Sequence, residues 1–539
     1  MMNKLYMGIL LIILTLIFTG CSDSKSMKEE ISIAVNTPPS TVDPQLMSDV
    51  PSAIVGSFGN VGLYEYDNEG NLKPCLAESH EVSDDGCTYT FHLKKGLKWS
   101  DGRPLTAEDF VFAFRRLSDP DVGSNSIYLI TDNSMILNAK KVNSGELPVS
   151  ELGVSAPDKD TFVVVLEEPC PYFCSLVSKQ DFSPCNEDFY HEMGNSFASS
   201  GDTLLYSGPY IMDQYEPLPQ QIHFTKNPYY VDADTITVPG ITLRVVENTQ
   251  QAMMCYEAGD IDIAKISGEL AELALGDPEL QVFPQANIAY IAFNSMDCPA
   301  LKNRNIRMAI SKSLDRKNIT DKVIKTGATP LTRINPPKFY RETDGTDFSY
   351  DNFQYDEYSA YDSEEAKKLM EKGLSELGVS KITLNIIYHS VGGSTAEAMA
   401  DQMKSSLPGL EINLTPLPFK EVLQRKARND YDLLYITWIA DYVDPTSFLG
   451  IFTESSANGY SNPEYEELFS RIQSAEFAGK PDERNKLMHE AEDFLMEDAA
   501  LIPLWMNNSN FLINSGVKGF ALTPTGDAYV VTGLTKEVQ

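Results

Sequence analysis

Between Lys381 and Trp438 the spacing of apolar residues switches repeatedly between two and about 3.6, which restricts the fold more than any other feature of the chain. Ile382, Leu384, Ile386 and Tyr388 alternate, predicting a strand over 381–389. A helical pattern follows over 395–407, then a strand over 410–414 and a second helix over 419–428. Residues 431–438 form a nearly continuous apolar strand. Such a β-α-β-α-β series predicts a parallel sheet with helices on its faces. Ligands of these sheets bind beyond the carboxyl ends of the strands. Trp438-Ile439-Ala440-Asp441-Tyr442, at the end of the third strand, is therefore the first candidate site.

The amino-terminal part has a different texture. Residues 31–35 alternate as a strand does, and Thr37-Pro38-Pro39-Ser40 turns the chain. Asp84-Asp85-Gly86 joins two strands as a hairpin turn. In the second arm, Cys87, Tyr89, Phe91 and Leu93 are expected on one face, with Thr88, Thr90 and His92 opposite. Thr106 opens a helix with Asp109 at the capping-box position, and Phe110, Ala113, Phe114 and Leu117 form its apolar stripe. Residues 72–120 thus read as a small α+β unit.

At roughly 100–200 residues per domain, 539 residues suggest two or three domains. Acidic residues outnumber basic ones 77 to 43, a formal charge of −34 that repels phosphate backbones and anionic lipid headgroups, so nucleic acid is not an expected partner. Lys4 and the apolar stretch from Leu5 to Phe18 suit a secretory signal, being too short for the roughly 20 residues of a spanning helix. Phe18-Thr19-Gly20-Cys21 resembles a bacterial lipobox, in which the Cys21 thiol carries the lipid; ordinary cleavage or an uncleaved anchor are the alternatives. Cys75, Cys87, Cys170, Cys174, Cys185, Cys255 and Cys298 remain, an odd set that cannot all pair. Free thiols are expected, with a disulfide as the alternative; a metal site at Cys170, Cys174 and Cys185 is disfavoured because no histidine stands at ligand spacing. Phosphate-loop, nucleophile-elbow and zinc-protease motifs are missing, and the 6 histidines are scattered singly, so neither an enzyme nor a cofactor is expected.

Several blocks then carry a resemblance: Thr41-Val42-Asp43-Pro44; Ser83 to Leu93; Trp99-Ser100-Asp101-Gly102; Thr106 to Phe110; Ser207-Gly208-Pro209-Tyr210; Lys226 to Tyr230; Gly259 to Asp262; Phe293-Asn294; Arg304 to Arg316; and Trp438 to Leu449. In this order the chain resembles the extracellular solute-binding proteins of oligopeptide and dipeptide ABC importers. The resemblance implies an α/β, two-lobed, hinged fold like that of periplasmic binding proteins, with an extra inserted α+β subdomain. It places a signal peptide at 1–20, a lipid-attached tether at 21–30, a discontinuous first lobe at 31–57, 200–290 and 506–539, the insertion at 58–199 and the second lobe at 291–505. It implies a monomer on the outer face of the cell membrane, held only by its lipid, that delivers short peptides to a permease and its ATPase subunits.

A carrier of many peptides must read what all of them share, the backbone and the charged ends. Asp441 matches the family aspartate that pairs with the peptide α-ammonium. Its bland alternative is a helix cap, but Asp444 before Pro445 already fits that pattern. Trp438 is expected either to wall the first side-chain pocket or to pack in the core. Val50 matches a stretch whose backbone contacts peptide, and Tyr128 is a candidate pocket aromatic. Tyr435 stands where oligopeptide binders carry an arginine for the carboxylate of short peptides, which leaves length preference open. Alternatives are a sugar, a metal complex or a signalling peptide on the same fold and, from another class, an extracellular hydrolase.

Overall fold

The computed structural model describes residues 29–215, 219–349, 358–454 and 458–537. The expectations for residues 1–20 and for Cys21 lie outside the described residues, as does most of 21–30. No helix among the described residues is long and apolar enough to cross a membrane.

The predicted series is present as Ile382–His389, Gly393–Ser406, Leu410–Leu417, Phe419–Ala427 and Leu433–Ile439. Ile382–His389 lies between the other two strands and is parallel to both. Leu433–Ile439 then pairs antiparallel with the long strand Leu280–Phe293, which in turn pairs antiparallel with Leu501–Ile513. Through these the sheet continues to Ile263–Ile266, Ile31–Val35, Gly240–Val245, Gln221–Lys226 and Tyr210–Gln214, so the parallel unit is one end of a mixed sheet.

Two helical layers bury the second-lobe part of this sheet. Ile288, Tyr290 and Ala292 face a core shared with the helices Pro463–Ile472 and Pro481–Glu497, whereas Ala289, Ile291 and Phe293 face one shared with Arg304–Lys312, Ser363–Leu377 and Gly393–Ser406. Side chains alternate between faces in a strand. With both faces covered, most positions become apolar, which accounts for the nearly continuous apolar run.

The small unit expected over 72–120 reaches further along the chain: its four-stranded sheet consists of Ala77–Val82, Thr88–Leu93, Thr161–Val165 and Val154–Asp158. Across it lies the helix Ala107–Ser118, with Phe110 and Phe114 against Phe162 at ring separations of 5.6 and 5.1 Å. Its capping box is formed, and the Thr106 amide donates to Asp109 Oδ2 at 2.7 Å. Cys87, expected on one face with Tyr89, Phe91 and Leu93, lies just outside the strand, between the Ser83–Gly86 turn and Thr88, whose carbonyl accepts from the Ser83 amide. Residues 58–199 share one continuous hydrophobic core with the strands at 31–35, 210–245 and 263–266 rather than enclosing a core of their own. All seven described cysteines are free.

Gly208, from the quoted Ser-Gly-Pro-Tyr block, marks a close backbone approach. Its amide donates to the Gly59 carbonyl at 2.8 Å. A Cβ at Gly208 would lie 2.8 Å from the Gly59 carbonyl carbon and oxygen, which cannot move without moving the helix Val50–Gly59. Gly208→Ala is expected to lower stability by about 1–3 kcal/mol, the usual cost of overpacking. A thermal melt checks this, and an unchanged midpoint would count against it.

Candidate ligand site between the lobes

The strand Leu433–Ile439 delivers its last residues into a gap between remote segments. Ala440 and Asp441 follow it, and the short helix Thr446–Leu449 turns the chain back. Ser447 holds this corner from two sides: its Oγ accepts from the Asp441 amide at 3.0 Å, and its carbonyl accepts from Trp438 Nε1 at 2.9 Å. Across the gap stand Asp49 and Val50, Tyr128, Lys179 to Asp181, and Asp527, which with Ile439 to Asp441 enclose a cavity of about 180 Å³. Asp49 caps the helix Val50–Gly59, accepting from the Ser52 amide at 2.9 Å, and so fixes where Val50 enters the cavity.

Three of the expected residues therefore meet. Tyr128 Oη donates to Asp441 Oδ1 at 3.1 Å across the gap, and Val50 lines the same space. Val50, Tyr128 and Ile439 are 37%, 40% and 38% exposed, and such large apolar groups left uncovered at one point mark a contact surface. Trp438 does not line this cavity; strand alternation turns it away from Ile439, and it packs against a core of the second lobe. Tyr435 packs edge-on to Trp505 at 6.0 Å, so it offers no cation where relatives are expected to have one.

Lys179, Asp181 and Asp527 were not singled out by the sequence. Lys179 Nζ pairs with Asp527 Oδ2 at 2.5 Å. Burial works against the lysine's charge, but Asp527, Asp181 and Asp441 together hold its pKa above the ordinary value. For Asp527, burial is outweighed by Lys179 and by the Thr523 and Thr525 hydroxyls, which keep its pKa low. Burial pushes Asp181 up to about 6 despite Lys179. Asp441 is also raised by burial, against the opposing pull of Lys179 and hydrogen bonds from Tyr128 and Asn133.

No histidine or cysteine lines the cavity, and no group of metal ligands occurs among the described residues. A larger cavity of about 580 Å³ lies between the hairpin turn at Ser83–Gly86 and the start of helix Pro481–Glu497. Its buried polar groups already satisfy one another: Tyr89 Oη donates to the Cys170 carbonyl at 2.6 Å, Tyr340 Oη to Asn485 Oδ1 at 3.3 Å, and Arg484 pairs with Asp444. The small cavity, with acceptors left over, is the better candidate.

Comparison with known proteins agrees with this architecture. A dipeptide-binding protein of Bacillus subtilis, DppE, is 30% identical over 86% of this chain and 84% of its own. A probable deoxycholate-binding periplasmic protein of Escherichia coli, YgiS, is 30% identical over 90% of this chain and 89% of its own. The structure of Listeria monocytogenes OppA bound to peptide is 28% identical and superposes with a TM-score of 0.73 over 94% of this chain and 99% of that one. Residues 71–460 match the family described as Bacterial extracellular solute-binding proteins, family 5 Middle, and the chain belongs to that family.

Proposed function

We propose that this protein captures short peptides outside the cell and delivers them to the permease and ATPase of an ABC importer. A lipid on Cys21 would hold it to the membrane as a monomer. The observation that carries the peptide reading is Asp441: a carboxylate at a strand end, in a cleft between lobes, with no cation bonded to it among the described residues. The α-ammonium of a peptide supplies that cation, while the exposed edge around Ile439 and Val50 suits an extended backbone. Peptide binding by relatives such as DppE and the Listeria OppA supports the same reading.

The hinge of this trap would lie in the strands Leu280–Phe293 and Leu501–Ile513. Their pairing register shifts between Pro284 and Ile288, and there the side chains change cores, Phe283 packing on the first lobe and Ala286 on the second. One relative is named for deoxycholate, an anionic steroid, so the family alone does not choose the ligand. The charge of the cavity supports a ligand that brings a cationic group: Asp49, Asp181, Asp441 and Asp527 against Lys179 disfavour an anion.

Native mass spectrometry of the protein as purified tests this. A ladder of peptide masses, displaced by added peptide, is the expected result. Protein that retains and takes up no peptide, or releases fragments of it on prolonged incubation, would overturn the proposal.

A further inference from the structure

The candidate site contains more negative charge than the protein itself balances. Asp49 is capped, with Ser40 and Ser52 hydroxyls and the Ser52 amide donating to it. Asp527 has Lys179. Asp441 and Asp181 remain, and neither has an ion-pair partner of its own among the described residues. Asp181 is the more unusual of the two. It is 7% exposed, it lines the cavity, and its Oδ1 meets no hydrogen-bond donor among the described residues. Buried carboxylate oxygens are almost always bonded, and the enclosed Oδ1 of this cavity-lining residue is left for a donor that arrives with a ligand.

The backbone of Asp181 is anchored. Its carbonyl accepts from Gln45 Nε2 at 3.2 Å, and it sits in the tight turn Gln180–Phe182. One α-ammonium at Asp441 leaves the Asp181 charge uncompensated, and a low-dielectric site makes that imbalance costly. The cavity has room for about six waters at roughly 30 Å³ each, a volume that fits one amino-acid residue rather than a whole peptide.

We propose that Asp181 receives a second positive group of the ligand, so that the site favours peptides whose first residue carries a basic side chain. This rests on the peptide reading above, with the α-ammonium at Asp441. An extended lysine or arginine side chain would place its N–H donors on Asp181 Oδ1, beside the Lys179–Asp527 pair. The same contact makes selection pH-dependent. Burial pushes the Asp181 carboxyl up to about 6 in the empty protein. A cationic ligand favours its charged form, so the preference should fade as pH falls through that value. The other charged or titratable groups lining the cavity are Asp49, Asp441, Asp527, Lys179 and Tyr128.

The test is isothermal titration of two peptides of equal length that differ only in an arginine or a norleucine at the first position. A charge-assisted contact predicts an affinity ratio of about 10- to 100-fold in favour of arginine at neutral pH. That ratio should collapse toward one in the isosteric Asp181→Asn protein, and in the native protein at pH 5. Equal affinities in the native protein, or a ratio that persists in Asp181→Asn, would overturn the inference. If the variant does not fold, the native ratio and its pH dependence still decide. Failure of the peptide reading looks different: neither peptide would bind.

Discussion

Peptides with a free amino terminus are expected to bind the Asp441→Ala protein about 10²–10³-fold more weakly than the native chain. Closure of the lobes would bury the α-ammonium against Asp441, and removing one partner of a buried pair costs about 3–5 kcal/mol, at about 1.4 kcal/mol per decade. Stability should not fall with it. Burial raises the Asp441 carboxyl above its ordinary value, so its charge opposes folding once pH exceeds the unfolded pKa. Removing that charge at neutral pH relieves the folded state. The lost Tyr128 contact is replaceable by water, since that side chain is 40% exposed. N-acetylated peptides should suffer the same loss on the native protein and no further loss on the variant, because both changes delete one interaction. Calorimetric titration of the four combinations measures this. A variant that binds at native strength with an unshifted melt would remove Asp441 from the site.

Local chemistry decided what could be read in advance. The Thr106–Asp109 cap, the Phe110 stripe and the 382–439 series each depend on near neighbours, and each is present in the structure. Asp441 was singled out because a strand end in a parallel sheet is a privileged position and the residues around it resemble a known family, and the structure places it on the cavity. Lys179, Asp181 and Asp527 carry no such signal. They reach the cavity through a turn and a tail far apart in sequence, and only the folded chain brings them to one side chain's reach. For Trp438 the sequence left pocket wall and core packing open, and strand alternation places it against the core, on the face opposite Ile439. An α+β unit was legible over 72–120, but the core that residues 58–199 share with the strands at 31–35, 210–245 and 263–266 was not, because interface apolar residues look like any other buried ones.

Arg484→Met is expected to destabilise the second lobe by about 3–5 kcal/mol, the cost of leaving a buried carboxylate without its partner. Asp444 and Arg484 are each 3% exposed and are joined by two hydrogen bonds, of 2.7 and 3.0 Å. Burial works against the guanidinium, yet Asp444 holds its pKa above the ordinary arginine value. Asp444 was expected only as a helix cap, and it does accept from the Thr446 amide at 3.0 Å. Its second role ties the corner carrying Asp441 to the helix Pro481–Glu497, while Arg484 Nε also donates to the Ile472 carbonyl at 3.1 Å. Adding Asp444→Asn should recover most of the loss, because the amide oxygen can still accept from Thr446 and no charge is left buried. Denaturant midpoints of the native, single and double variants at constant m would check this order. Peptide affinity should follow the same order, falling in Arg484→Met and returning in the double variant, because the pair sets the position of the Asp441 corner. A single variant as stable as the native protein would refute the charge argument, and lost stability with unchanged affinity would confine the pair to the core.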